Sequence, residues 1–115
     1  MKFLTLLYSD ETKQLAHDSP EMAAQMEGFN RFYSEVNEAG AFKAGDPVQG
    51  SATASTVRVR DGASSSSPGP FAPGPHQLVG FYVLDCADQA EAERYAAKIP
   101  TAAQGAVEVR PIMTF

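Results

Sequence analysis

Two segments of this 115-residue chain, residues 2–8 (KFLTLLY) and 78–85 (LVGFYVLD), are apolar at both alternating positions. A strand with that pattern needs cover on both of its faces. Residues 56–61 (TVRVRD) and 106–111 (AVEVRP) instead alternate, valine against charge, as half-exposed strands do. The first two segments read as central strands and the other two as edges of the same sheet.

Two helices lie between them. Ser19-Pro20-Glu21 supplies an N-cap oxygen, a proline at the first helical position and an acid against the positive helix end. Met22, Met26, Phe29, Tyr33 and Val36 then draw one apolar stripe, and Gly40 offers the left-handed stop. Asp88 and Glu91 stand at capping-box spacing ahead of Ala92, Tyr95, Ala96 and Ile99, and Pro100 ends that helix. Residues 61–77 (DGASSSSPGPFAPGPHQ), rich in serine, proline and glycine, are expected to form a long loop within a single domain spanning 1–115.

The order strand, helix, strand, strand, helix, strand predicts an α+β fold of ferredoxin-like βαββαβ topology with a four-stranded antiparallel sheet. Two helices cover one face of such a sheet, yet the central strands are apolar on both. A second copy of the chain is the expected cover, giving a homodimeric α+β barrel. A globule of this length has a radius of gyration of about 13 Å.

Charge and cysteine usage narrow the partners. Fourteen acidic and nine basic residues leave a formal charge of −5, which disfavours nucleic acid and anionic membranes. No apolar run approaches the roughly 20 residues of a bilayer span, and the N-terminal residues lack the pattern of a secretory signal, so the expected location is the cytoplasm. Cys86 is the single cysteine, which excludes an internal disulfide and any zinc site of paired cysteines. The two histidines, His17 and His76, have no metal-ligand spacing, and no glycine-rich phosphate loop follows a strand. Neither cofactor nor metal is expected.

Several separated segments carry a family likeness. Residues 69–72 (GPFA), 77–85 (QLVGFYVLD) and 107–111 (VEVRP), with 56–62 (TVRVRDG) and the opening strand, resemble the YCII-related family in its DGPF branch. The resemblance implies the dimeric ferredoxin-like barrel and an uncharacterised function, in a superfamily that includes isomerases, monooxygenases and dehalogenating enzymes; members are often encoded near extracytoplasmic-function sigma factors. The aspartate of the DGPF motif is replaced here by Pro68, and Pro73, Gly74 and Pro75 stand where the following loop is usually charged. The histidine–aspartate pair thought to serve the YciI branch has Phe29 and Glu38 near the corresponding positions.

Candidate chemistry centres on His76, placed just before a central strand, where an imidazole can move a proton if a substrate docks beside it; its ordinary alternative is a solvated loop histidine. Tyr8 and Asp10 end the first strand, where a tyrosine can donate to an oxyanion and an aspartate can act in a site or a turn. Arg58 and Arg110 fall on the charged parity of the edge strands with Glu108; they read either as interface ion pairs or as a clamp for an anionic ligand. Phe71 is a candidate plug over a pocket formed by sheet, first helix and loop. Cys86 reads as a packing residue. The functional readings are a small-molecule enzyme of lyase or isomerase type moving a proton through His76 or Tyr8, a non-catalytic ligand-binding or regulatory dimer, and a structural interaction module.

Overall fold

The computed structural model describes Met1–Phe115. Strand β1 (Lys2–Asp10) leads to helix α1 (Pro20–Glu38) and strand β2 (Phe42–Pro47). A hairpin of β3 (Ser55–Arg60) and β4 (Ala63–Pro68) follows, then β5 (His76–Asp85), α2 (Gln89–Ala96), the short α3 (Thr101–Gln104) and β6 (Ala106–Pro111). The main sheet has the order β2-β5-β1-β6, with every neighbouring pair antiparallel. The two segments apolar on both faces are its inner strands, and the fold is the α+β, ferredoxin-like arrangement with a hairpin inserted between its halves.

The helix starts follow from cap chemistry. The Met22 amide donates to Ser19 Oγ at 3.1 Å, and Pro20 opens α1; Gly40, at φ 73°, turns the chain out of the helix. At α2 the Glu91 amide donates to Asp88 Oδ1 at 2.8 Å while the Glu91 carboxylate accepts from the Ala87 amide at 3.0 Å. Asp88→Ala should therefore cost about 1 kcal/mol, lowering the melting temperature by about 4 °C; an unchanged melt would show that the cap does not hold α2.

Strand parity sorts the side chains. Phe3, Thr5 and Leu7 of β1 are buried against the helices. They form the core with Leu84, Phe32, Val36, Ala41, Ala92 and Ile99, and Cys86 packs among them as expected. The Thr5 hydroxyl, buried there, donates to the Tyr82 carbonyl at 3.1 Å. On the opposite face Leu4 pairs with Val83, Leu6 with Phe81 and Tyr8 with Leu78. These six are half-buried and none belongs to the core cluster. With principal extents of 47 × 44 × 17 Å, the chain is one helical layer on one sheet, and no segment of its own covers the second face.

Five expectations need correction, the first being that α2 stops at Ala96, short of Ile99, and Pro100 instead precedes the separate helix α3. The second strand of the sheet is β2, not residues 56–61; its sequence, FKAGDP, lacks alternation, and it is held by pairing to β5 and by the Tyr82 ring lying over Gly45. Residues 55–60 do form a strand, but it pairs only with β4. The segment 61–77 is accordingly not all loop: Asp61 (φ 52°) and Gly62 (φ 78°) make the two-residue turn favoured in hairpins, and backbone pairing alone orders the serine run of β4. The core face of α1 runs through Phe29, Phe32 and Val36, while Met26 and Tyr33 are exposed at its margin, because the stripe tilts toward Tyr82, whose ring lies 5.0 Å from that of Phe32. The radius of gyration is 16.1 Å rather than about 13 Å, since the hairpin projects and the sheet is capped on one side only.

Candidate functional site

The C-terminal end of β1 and the N-terminal end of β5 bring three candidates together on the uncovered face. Asp10 and His76 are register partners at the end of the β1–β5 ladder, and Tyr8 lies two residues back along β1, opposite Leu78. Asp10 Oδ1 accepts from the Thr12 amide at 2.9 Å and the Thr12 hydroxyl at 2.6 Å. Those two hydrogen bonds hold the Asp10 carboxyl below its ordinary value of 3.8, with smaller help from the charges of Lys13 and His76. It is ionised at neutral pH beside the imidazole of His76.

Neighbours missing from the sequence reading build the rim of this site. Glu11 accepts from the Ser51 amide at 2.8 Å and from its hydroxyl, which holds the Glu11 carboxyl below its ordinary 4.5. The Glu11 amide in turn donates to the Pro75 carbonyl at 2.9 Å. Gln77, buried, donates from Nε2 to the carbonyls of Ala72 at 3.0 Å and Gly74 at 2.8 Å, which fixes the segment leading to His76. A polar residue beginning an apolar strand was the available signal for Gln77; Glu11 and Ser51 are 40 residues apart and left none. Because both carboxyls titrate lower in the fold, they favour the folded state above their ordinary values of 3.8 and 4.5, and that contribution disappears as pH falls through the lower folded values.

The two arginines are not brought together. Arg110 lies on β6 opposite Leu4, about 20 Å along β1 from Asp10 at 3.3 Å per residue. It is on the open face, as its parity required, but its partner is Glu108 of its own chain. Arg58 sits on the hairpin, in a different sheet, with its guanidinium 5.5 Å from the Phe71 ring centroid. Phe71 is 76% exposed and plugs nothing within the chain. Nor does α1 share a cleft with Tyr8 and His76, because the helix covers the other side of the sheet.

Two surface grooves lie in the helical layer. One runs along Glu27, Arg31, Glu35 and Glu38 of α1, the other between Phe32 on α1 and Ile99 and Pro100 before α3. Neither includes a candidate residue. The His76 end of the sheet is an open platform: an ionised carboxylate, an imidazole and a phenol at the edge of an apolar surface. Such a set can accept or pass a proton and donate to a ligand oxygen.

Comparison with known proteins agrees with the sequence likeness. The model of a family described as the YCII-related domain matches residues 1–115. A protein of Rhizobium meliloti (strain 1021), described as uncharacterised, is 31% identical over 117 residues, covering 100% of this chain and 94% of the relative.

Proposed function

Because the chain belongs to the YCII-related domain family, we propose that it works as a cytoplasmic homodimer binding a small polar molecule at the Tyr8–Asp10–His76 end of its open sheet face, with proton transfer of lyase or isomerase type as the chemistry. The observation that carries this reading is the cross-strand pairing of Asp10 with His76 beside Tyr8. Asp10 places a negative charge across the strand pair from the imidazole, His76 moves the proton, and Tyr8 donates to the oxygen on which negative charge develops. The uncovered apolar strip beside them excludes water once a second copy closes over it. A hydroxyl- or carbonyl-bearing compound suits these groups; an anionic one needs a cation, and within one chain Arg58 and Arg110 stand in different sheets, Arg110 paired with Glu108. A net charge of −5 supports a ligand other than nucleic acid, and a single buried cysteine, Cys86, suits a reducing compartment.

A non-catalytic ligand-binding or regulatory dimer is the second reading, favoured by Pro68 standing where the DGPF aspartate would supply a carboxylate. Thermal-shift measurement against a panel of small hydroxy and keto compounds, with and without carboxylate, tests both. A ligand present at about 100 times its dissociation constant stabilises the fold by about 2.7 kcal/mol. The wild type should show that shift, and His76→Ala with Tyr8→Phe should lose it. A panel with no hit, or a hit retained by the double variant, would remove the site. Turnover of the hit compound then decides between enzyme and binding protein.

A further inference from the structure

We infer that the β3–β4 hairpin is an arm that packs on a second copy of this chain, clasping the dimer that the proposed function assumes. No residue of Ser55–Pro68 is buried and none enters the core cluster. Yet Val57 and Val59, side by side along one face of the hairpin opposite Ser66 and Ser64, are 65% and 58% exposed. A two-stranded ribbon is marginal in water by itself, and apolar side chains repeated along one of its faces mark a contact surface.

Charge and area both point to a second copy as the occupant. The hairpin carries Arg58 and Arg60 against one acid, Asp61, in a chain with fourteen acids and nine bases. Neither arginine finds a carboxylate in its own chain, and Asp46, exposed on the β2 rim of the open face opposite Phe81, finds no cation. By strand alternation Arg58 and Arg60 lie on the ribbon face opposite Val57 and Val59, so the valines make the contact while the unpaired cations at its rim favour approach to a second chain that is net acidic. Four strands about 4.8 Å apart with these lengths give the open face a footprint of about 500 Å², short of the roughly 800 Å² per partner of a stable interface. The hairpin, about 20 Å long and two strands wide, adds about 200 Å² and brings the total to about 700 Å², inside the roughly 600–1,000 Å² per partner that standard interfaces span.

Analytical ultracentrifugation of three proteins tests the inference: the wild type, the double variant Val57→Lys/Val59→Lys, and a chain in which residues 57–67 are replaced by a short Gly-Ser turn. The wild type should be dimeric. Each variant should dissociate at least 10-fold more readily while the melting of the monomer core is retained, since no residue of the arm belongs to the core cluster. Two variants that dimerise within 2-fold of the wild type would overturn the arm and leave the dimer standing. A wild type that is monomeric at tens of micromolar would overturn both.

Discussion

Gly105→Ala should be the most damaging single methyl in this chain, lowering stability by at least about 3 kcal/mol. A Cβ built on Gly105 would lie 2.1 Å from the carbonyl oxygen of Tyr8 and 3.0 Å from Ser9 Cα. Both are backbone atoms of the central strand, so no side chain can rotate away to make room. Gly105 also closes α3, its amide donating to the Thr101 carbonyl at 2.7 Å, and β6 starts at the next residue with Ala106 opposite Tyr8. Relief therefore means moving β6 off β1 at the place where the candidate site stands. Gly45 is the milder case: its Cβ would meet Tyr82 Cδ1 at 2.4 Å, where a ring packed between Phe32 and Phe42 can turn, and the Phe81 carbonyl oxygen only at 3.0 Å, against 2.1 Å to a carbonyl at Gly105. Thermal and urea melts of both variants should rank Gly105→Ala as the less stable. A Gly105→Ala protein melting within about 3 °C of wild type would mean that β6 has more freedom than its pairing indicates.

Phe81→Asp should abolish association while sparing the fold. Phe81 and Leu6 are register partners near the middle of the open face, flanked by the Leu4–Val83 and Tyr8–Leu78 pairs. Phe81 belongs to no core cluster, so a monomer can carry an aspartate there with its side chain in water. A face-to-face dimer would instead bury two like charges with no partner. Light scattering of the wild type at micromolar concentration should return twice the 12.3 kDa chain mass, and the variant should return the chain mass, a weakening of at least about 100-fold, or about 2.7 kcal/mol. A variant that stays dimeric would place the interface elsewhere, and with it the cover that the candidate site needs. The arm variants act on the same equilibrium from a different surface, so failure of one prediction does not mask the other.

Particular residues show why some features could be read in advance. Ser19 and Asp88 act on amides three residues away, so their caps were visible as local spacing. The double-sided apolar pattern of β1 and β5 reports two-sided cover whatever provides it, and the family likeness in residues 69–72 and 77–85 agreed with that frame. The strand β2 escaped notice because its stability resides in β5 and in the Tyr82 ring over Gly45, neither of which FKAGDP encodes. For β4 the clue was present, in Asp61-Gly62, but the serine run after it shows no period. Tyr8, Asp10 and His76 were each identifiable as residues; that Asp10 faces His76, and that Arg58 and Arg110 part company, follows from strand pairings between residues far apart in the chain.

Taken alone, the order of residues determined which segments become strands and helices at their best-patterned points, where the helices begin, and which faces repel water, because these depend on neighbours one to four positions away. Tertiary structure alone decided which strand lies beside which, that the valine-arginine strand Ser55–Arg60 leaves the sheet to pair in a hairpin, and that an aspartate and a histidine 66 residues apart meet at one sheet end. Those outcomes are set by hydrogen-bond register and by what packs across the sheet, energies shared between distant residues that no local pattern records.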